Sequence, residues 1–347
     1  MRAVVYQGPG TIAVRDVPPP RLEAPDDALV RVDLAGICGT DLHVIAGDFA
    51  GIQPGAIIGH EFVGEVIAVG SAVTRFKIGD RVTSSDFTAC GHCHWCNRGD
   101  HWECRERAFF GTGTSFGPPL AGAQAEIVRV PHAETTLGLL SKGCSDEAAI
   151  LLGDNLATGW AAVERSGLLP GETVAIIGGG TVGQLAALSA QAAGAGAVIV
   201  IEPSKVRRAF ARANGSLAAT PEQASALVAR LTDGEGVDVV VEAVGNTAAL
   251  SVGFDLVRKR GRIISVGAHA AEGWSFPLAK SFANELTLSF AIGDSIRLRS
   301  RLLSLITTGV LDPTVVVDRR IGFAGAAQAY ADLKAQGIMK AVIDPRI

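Results

Sequence analysis

The sequence lacks a basic tail or stripe of the kind that binds nucleic acid or anionic lipid, and its formal net charge at pH 7 is −4. It also lacks a long apolar run, since the longest stretches, such as residues 195–201, fall far short of the roughly 20 residues that a membrane-spanning helix needs. No secretory signal is visible at the start, because Gly8-Pro9-Gly10 interrupts the first apolar segment. We therefore expect a cytoplasmic protein whose partners are neither nucleic acids nor membranes.

Charged residues are also few, at 19%, whereas apolar residues make up 48% of the chain. Such a composition supports sizeable cores and is not that of a disordered chain. At roughly 150 residues per domain, the 347 residues predict about two domains.

The character of the sequence changes near residue 158. Before it, short β-like runs such as 29–34 and 62–69 alternate with turns rich in glycine and proline, which predicts an irregular, mainly β domain. After it, apolar strands alternate with helices, beginning with a strand at 173–177 and a helix at 181–193. That alternation predicts an α/β domain with a doubly wound parallel sheet of the Rossmann type.

The tail of the chain predicts a helix at 295–308 and short strands at 315–318 and 341–343. It is too short to form a domain of its own, so we expect it to return to the first one. The predicted domains are therefore 1–155 together with 292–347, and 156–291.

A glycine-rich turn follows the first strand of the second domain, where residues 178–183 match the pattern G-x-G-x-x-G. The first glycine would form the tight turn, the second would let the backbone approach a pyrophosphate, and the third would let the helix pack closely on the strand. The alternative is an ordinary glycine turn in an α/β domain. The predicted cofactor contacts in this turn are Gly178, Gly180, Thr181, Val182 and Gly183.

The next predicted strand ends in Glu202, about 20 residues after the turn. A carboxylate there accepts hydrogen bonds from the adenosine ribose and repels a 2′-phosphate, so it favours NAD over NADP. Lys205, Arg207 and Arg208 lie nearby in the sequence and could partly tolerate a 2′-phosphate. The alternative is that Glu202 is a solvated cap.

Four cysteines lie close together, in the pattern C-x2-C-x2-C-x7-C. In a cytosolic chain such clustering points to a metal rather than to disulfides. Four thiolates from one polar loop complete a tetrahedral coordination sphere, which predicts a structural zinc ion. The predicted ligands are Cys90, Cys93, Cys96 and Cys104.

A second group of possible ligands is dispersed along the chain. Cys38 stands beside Thr40 and His43, His60 stands beside a carboxylate, and Asp154 interrupts an apolar run. Taken one at a time, each of these residues is more often an ordinary core or surface residue than a ligand.

Taken together, these motifs resemble the zinc-containing medium-chain alcohol dehydrogenase family. The resemblance covers nearly the whole chain and includes Cys-Gly-Thr-Asp-x-His at 38–43, Gly-His-Glu at 59–61 and Gly-Glu-Val at 64–66, besides the four cysteines and the glycine turn. It implies a GroES-like, mainly β catalytic domain split around a Rossmann domain. It also implies the interconversion of a primary or secondary small-molecule alcohol with its aldehyde or ketone, using NAD, by a homotetramer or a homodimer.

By this resemblance, Cys38, His60 and Asp154 hold a catalytic zinc and leave its fourth position for water or substrate. With the structural ion, that implies two zinc ions per chain. Asp41 would support His60, and Glu61 would lie behind the zinc and bind it transiently during ligand exchange.

The same resemblance implies a proton relay. Thr40 would take the proton of the alcohol and pass it through the nicotinamide ribose to His43, which would face solvent. The alternative for His43 is an ordinary surface histidine. The resemblance also implies cofactor contacts: Thr158 would pack against the nicotinamide, Val244 and Val266 would line the cofactor site, Arg207 would lie along the adenosine, and Lys340 would reach the pyrophosphate. Phe87 would either line the alcohol pocket or be part of the ordinary core packing.

Two other interpretations remain. A polyol or sugar-alcohol dehydrogenase of the same family often has Glu near position 154 and lacks the four cysteines. A non-catalytic NAD-binding protein would typically have lost the zinc ligands. The alcohol itself stays open, because the pocket depends on loops at 45–54, 109–120 and 268–278.

Overall fold

The computed structural model describes residues 1–269 and 273–347. Within them the chain divides into two compact units, unit 1 with residues 1–154 and 294–347, and unit 2 with residues 155–293. The predicted pocket loop at 268–278 lies partly outside the described residues. No helix of the described part combines the length and the apolar character that crossing a membrane requires.

The strands of the described residues, in chain order, are β1 (Arg2–Gly8), β2 (Thr11–Asp16), β3 (Ala28–Ile37), β4 (Phe62–Val69), β5 (Arg81–Ser84), β6 (Ile127–Val130), β7 (Leu137–Leu139), β8 (Thr173–Ile177), β9 (Ala197–Ile201), β10 (Leu217–Ala219), β11 (Val237–Glu242), β12 (Val257–Ser265), β13 (Thr287–Phe290), β14 (Val317–Ile321) and β15 (Lys340–Ile343).

The α-helices of the same residues are α1 (Gly39–Ala46), α2 (Ala133–Thr136), α3 (Asp146–Leu152), α4 (Asn155–Ser166), α5 (Thr181–Ala192), α6 (Lys205–Ala213), α7 (Pro221–Leu231), α8 (Thr247–Leu256), α9 (Leu278–Ala283), α10 (Ser295–Thr307) and α11 (Ala326–Lys334).

Unit 1 is built around the long strand β3. It pairs antiparallel with β4, β6 and β15, in a sheet whose main path runs β14-β15-β3-β4-β5-β7. Val30 and Val32 of β3 are buried whereas Arg31 between them is exposed, as expected of a strand with one face on a core. In the structure the tail pairs with the mainly β part of the chain through β15 and β3.

The tail differs from the sequence-based prediction in one place. Residues Pro313–Val316 form a 3-10 turn, and β14 begins only at Val317. Asp312 caps this turn through a 2.9 Å hydrogen bond from the Thr314 N–H, and Pro313 has the fixed φ that suits the first position of a helical turn. The predicted strand at 315–318 is therefore wrong in its first half.

Unit 2 contains a six-stranded, wholly parallel sheet in the order β10-β9-β8-β11-β12-β13. In order of appearance this is 3-2-1-4-5-6, the doubly wound arrangement that binds dinucleotides where the strand order reverses. β8 is buried over four of its five residues, as a strand covered on both faces should be. The predicted Rossmann-type sheet is confirmed, and its reversal point lies between β8 and β11.

Candidate functional site

The four cysteines of the 90–104 loop bring their sulfur atoms together within 4.8 Å. Cys96 Sγ lies 3.6 Å from Cys93 Sγ and 4.0 Å from Cys90 Sγ, and all four are free thiols. A tetrahedral zinc ion with bonds of about 2.3 Å to sulfur holds its ligands about 3.8 Å apart. The donor set therefore fits one zinc ion with no open coordination position.

Backbone N–H groups point at these sulfur atoms. The N–H groups of Cys90 and Glu106 donate to Cys104 Sγ at 3.3 and 3.4 Å. Backbone N–H donors lower the pKa of Cys93 to about 6, whereas burial raises the pKa of Cys96. A divalent cation is what would hold all four side chains as thiolates at neutral pH.

A second group of ligand atoms within 4.8 Å of one another comes from Cys38, His60, Glu61 and Asp154. Asp154 Oδ2 lies 3.6 Å from Cys38 Sγ and 3.4 Å from His60 Nε2. Tetrahedral zinc, with bonds of about 2.3 Å to sulfur and about 2.1 Å to nitrogen and oxygen, would separate these pairs by about 3.6 and 3.4 Å. Nε2 of the fully buried His60 makes no hydrogen bond within the described chain, so a metal ion suits it as a partner.

The charges at this centre suit a cation. Burial disfavours the Asp154 carboxylate, but the adjacent His60 ring outweighs burial and lowers the Asp154 pKa to about 2. Burial likewise opposes a charged His60, but Asp41 and then Asp154 raise its pKa well above the usual range. Carboxylates on both sides of the imidazole thus create a negative pocket.

The fold brings these distant residues together through strand pairing. Cys38 follows the end of β3, and His60 precedes the start of β4. These two strand ends lie side by side, because Ala35 of β3 pairs with Phe62 of β4. A side chain at Gly36 would overlap Glu61, so this approach of the two strands requires glycine. Asp154 follows α3. The end of this helix can lie close to β5 because a side chain at Gly153 would collide with the Ser84 carbonyl, so glycine is needed there.

His60 is supported from behind by a buried hydrogen-bond network. Asp41 Oδ1 lies 3.2 Å from His60 Nδ1, and Asp41 Oδ2 accepts from the Cys38 N–H at 2.9 Å. The same oxygen accepts from Tyr330 Oη at 3.0 Å and from Gln124 Nε2 at 3.2 Å. Asp41 thus lies behind His60, and the structure adds Gln124 and Tyr330, which the sequence analysis missed because neither stands near a motif.

The prediction for Lys340 needs correction. Its ammonium group is buried and donates a hydrogen bond to Glu61, which is equally buried. Burial raises the pKa of Glu61 to about 7, against the opposing charge of Lys340. An ammonium paired in this way is not presented to a pyrophosphate, because releasing it would leave the Glu61 carboxylate buried without its counter-ion.

Thr40 and His43 lie on one face of α1, three residues apart. Thr40 Oγ1 lies 3.9 Å from Cys38 Sγ, whereas the His43 imidazole is half exposed. His43 Nδ1 lies 2.8 Å from Asp48 Oδ2, and its ring stacks on Phe49. Since an ionised carboxylate only accepts, Nδ1–H is the donor and Nε2 is left as the acceptor. Asp48, like Gln124 and Tyr330, is a residue that the motifs did not reveal.

The predicted role of Phe87 as a wall of the alcohol pocket finds no support in its placement. Phe87 is fully buried, and its ring packs edge-on against Trp102 with centroids 5.2 Å apart, in the core of the four-cysteine loop. The ring that faces His60 belongs to Phe109, at 5.3 Å. Beside Phe87, the buried carboxyl of Asp86 has its pKa raised well above the usual range by burial and by the charge of Asp154, with His60 opposing.

In unit 2 the glycine turn has the geometry that a dinucleotide site needs. Gly178 has φ 94°, a left-handed conformation that favours glycine, and Gly180 starts α5 from an extended conformation. A side chain at Gly183 would overlap the Gly178 carbonyl, so the helix packs closely on the strand. Thr181 and Val182 form the first turn of α5, whose N–H groups face the N-terminal end.

Glu202 follows β9 and is buried, with both oxygens held by the backbone. Oε2 accepts from the Gly179 N–H at 2.7 Å and Oε1 accepts from the Ser204 N–H at 2.7 Å. Arg207 lies next to Gly180, and its buried Nε has no hydrogen-bond partner within the described residues. The carboxylate is therefore fixed beside the glycine turn, where a ribose would lie, and Arg207 is close to it.

The remaining predicted cofactor residues also lie in unit 2. Val244 follows β11 and is about half exposed, next to Gly178, and Val266 follows β12 with its N–H donating to the Glu242 carbonyl. Thr158 of α4 lies against Gly293, and any side chain at position 293 would overlap Thr158. Val244 and Val266 thus stand at the carboxyl ends of neighbouring strands, the edge at which ligands bind in such sheets.

Comparison with known proteins gives consistent results. Residues 24–139 match the family model described as the alcohol dehydrogenase GroES-like domain, and residues 181–308 match that of the zinc-binding dehydrogenase. A curated relative from Mycobacterium tuberculosis, described as a probable zinc-binding alcohol dehydrogenase, is 35% identical over 97% of this chain and 86% of its own length.

Among solved structures, an alcohol dehydrogenase from Thermus sp. ATN1 is 38% identical, with a TM-score of 0.95 over 99% of both chains. A structure from Sinorhizobium meliloti, bound to NADP, is 29% identical, with a TM-score of 0.85 over 99% of both chains. The first of these relatives acts on alcohols by its description, and the second carries the phosphorylated cofactor.

Proposed function

Because the chain belongs to the zinc-containing medium-chain alcohol dehydrogenase family and is a zinc-dependent alcohol oxidoreductase, we propose that it transfers hydride between a primary or secondary alcohol and NAD. It holds two zinc ions per chain, one in the four-cysteine loop and one at Cys38, His60 and Asp154. The observation that carries the proposal is the second donor set, whose distances of 3.6 and 3.4 Å match the spacing of ligands around zinc.

When bound, the zinc ion supplies Lewis acidity that lowers the pKa of the alcohol hydroxyl, and NAD supplies the acceptor for the hydride. Three protein donors leave the fourth coordination position for the alcohol. Asp41 orients the His60 ring by its position at Nδ1, and Gln124 and Tyr330 hold Asp41 in turn. Glu61, beside the ligands, is the residue suited to bind the metal transiently during exchange.

The protein's own part in proton transfer lies on α1. Thr40 Oγ1 accepts the proton of the alcohol hydroxyl, and His43 Nε2 takes it on and releases it to solvent. The hydrogen bond from His43 Nδ1–H to Asp48 keeps Nε2 in its acceptor form. The half-exposed position of His43 supports its place at the outer end of the relay.

NAD rather than NADP is the proposed cofactor because of Glu202. Its carboxylate, fixed by the Gly179 and Ser204 N–H groups, would accept hydrogen bonds from the ribose hydroxyls and repel a 2′-phosphate. Arg207 is the opposing influence, since a guanidinium near the turn could pair with that phosphate.

Replacing Glu202 by alanine is expected to raise kcat/KM for NADP relative to NAD roughly 10- to 100-fold, because a like charge facing the 2′-phosphate is removed. Steady-state kinetics with both cofactors measure the ratio. Glu235→Ala, an exposed carboxylate of the same unit, serves as the matched control and should leave the ratio unchanged. An unaltered ratio in the Glu202 variant would remove this residue from the ribose role.

We also propose a homotetramer, with a homodimer as the alternative. β13 is an edge strand that pairs only with β12 in the described part of the chain, and an open edge invites pairing with another chain. Large apolar residues near this edge are exposed, which is typical of an association surface. They are Phe276, Leu278, Phe282, Phe290 and Ile292.

One experiment tests the proposed function. Zinc per chain is measured together with reduction of NAD and NADP by primary, secondary, aromatic and polyol alcohols, and sedimentation equilibrium gives the mass of the assembly. We expect two zinc ions per chain, NAD reduction by at least one alcohol, and a tetramer. Fewer than two zinc ions and no turnover, with NAD still bound, would instead indicate a non-catalytic NAD-binding protein.

A further inference from the structure

Two histidines face one carboxylate on the surface of unit 1, apart from the two donor sets described above. His92 lies in the four-cysteine loop, and its Nε2 is 3.6 Å from Glu106 Oε1. His132 directly precedes α2, and its Nε2 is 3.8 Å from Glu106 Oε2. None of these three residues takes part in the chemistry described so far.

The other ring nitrogen of each histidine already has a partner. His92 Nδ1 lies 2.9 Å from the Cys90 carbonyl oxygen. His132 Nδ1 lies 2.7 Å from Asp26 Oδ2. Since a carbonyl and an ionised carboxylate only accept, each Nδ1 carries the proton, and in the neutral ring Nε2 is then an acceptor. Histidines that bind metals are held in this way, with the second nitrogen donating to a backbone carbonyl or a carboxylate.

The backbone brings the three side chains to one place. The Glu106 N–H donates to Cys104 Sγ at 3.4 Å, which ties this residue to the four-cysteine loop. A side chain at Gly91 would overlap Thr135, so the loop packs directly on the turn that begins α2. The His132 carbonyl accepts from the Thr135 N–H at 3.0 Å within that turn. Two separate segments of the chain thus supply the donors.

The distances and the charges suit a divalent cation. Zinc with bonds of about 2.1 Å to nitrogen and oxygen holds tetrahedral ligands about 3.4 Å apart, close to the observed 3.6 and 3.8 Å. The side chains of His92 and Glu106 are 75% and 51% exposed, so they can make the small movements required. Ligand atoms of both lie within 4.8 Å of Cys90 Sγ. A zinc ion held by four thiolates is an anionic centre, and it attracts a second cation placed beside it.

We propose that His92, Glu106 and His132 form a third metal site, which takes a divalent transition-metal ion of the zinc type, in addition to the two zinc ions proposed above. Imidazole nitrogens suit zinc, nickel and copper, whereas magnesium and calcium prefer oxygen donors. The ion cross-links the four-cysteine loop to the turn that begins α2, and so stabilises the loop. This inference goes beyond the proposed oxidation of alcohols and does not depend on it.

The test uses the whole enzyme without a histidine tag, after a weak chelator has removed loosely held metal. Isothermal titration with Zn²⁺, and separately with Ni²⁺, should show one further ion per chain beyond the tightly bound zinc, and titration with Mg²⁺ should show none. His132→Gln and Glu106→Gln should abolish this binding. Asp26→Asn, which alters only the partner behind a ligand, should weaken it roughly 10- to 100-fold. His94→Gln changes an exposed histidine of the same loop and should bind as wild type does.

Thermal unfolding gives a second measurement. Saturating Ni²⁺ should raise the melting temperature of wild type and of His94→Gln, but not that of His132→Gln, because the ion binds only the folded loop. A wild-type enzyme that binds no further ion would overturn the proposal and leave the two histidines as ordinary ion pairs of Glu106. Equal affinity in wild type and His132→Gln would overturn it as well, since the ion would then lie elsewhere. An unchanged melting temperature at saturation would exclude the cross-link.

Discussion

Asp154→Ala is expected to lose one of the two zinc ions and to lower kcat/KM roughly 1,000-fold or more, because the alcohol then lacks its Lewis acid. Asp154 Oδ2 stands 3.6 Å from the Cys38 sulfur and 3.4 Å from the His60 nitrogen, so alanine removes the donor that faces both. The four cysteines lie on a separate loop and should keep their ion. Metal analysis of the purified variant, with steady-state kinetics, measures both effects.

Two further variants sharpen this test. Asp154→Cys replaces one anionic donor by another and should recover the second zinc ion, with part of the activity. Asp146→Ala, at the opposite end of α3, removes a carboxylate that pairs with Arg81 instead and serves as the matched control. If the alanine variant at 154 kept two zinc ions and normal turnover, Asp154 would not be a ligand.

Cys96→Ser is expected to lose the other zinc ion and to destabilise the protein by about 4 kcal/mol or more, as losses of a structural metal do. The loop from 90 to 104 has little apolar content beyond Trp95, Trp102 and the cysteines themselves, so the bound ion takes the place of a hydrophobic core. For a protein of this size the melting temperature should fall by roughly 5 °C or more. Differential scanning calorimetry with metal analysis measures the change.

The matched control for this variant is Cys144→Ser, which makes the same exchange at a buried thiol outside both ligand groups. It should retain two zinc ions and lose far less stability. Equal melting temperatures for the two serine variants would show that the four-cysteine loop does not depend on its metal.

The two candidate metal centres differ in how far the sequence could predict them. The four cysteines fall within fifteen consecutive positions, so their spacing alone indicates a tetrahedral site. Cys38, His60 and Asp154 are brought together only by the pairing of β3 with β4 and by the packing of α3 on β5. Nothing in their spacing encodes that convergence, and only the family resemblance indicated it.

The departures from the sequence analysis have a common physical cause. Lys340 and Phe87 were given their roles by the family resemblance, and the structure places Lys340 against Glu61 and Phe87 against Trp102, the core packing that had been left open as the alternative. Which way a side chain points depends on the tertiary contacts on either side of its strand, and those are not visible in one sequence. Tyr330 and Gln124 escaped notice for the same reason, since each acts through Asp41, which is far away in the chain.

Unit 1 is assembled from two stretches of chain, with all of unit 2 encoded between them. Tyr330, which holds Asp41, and Lys340, which neutralises Glu61, are therefore synthesised long after the metal ligands that they support. At about 5–20 residues per second, the ribosome needs roughly 10–40 s to pass from Asp154 to Lys340. For that interval the nascent chain carries the ligands Cys38, His60 and Asp154 without their supports. On the proposed assignment, secure capture of zinc by these three residues is then a late event of biosynthesis, which follows release of the tail.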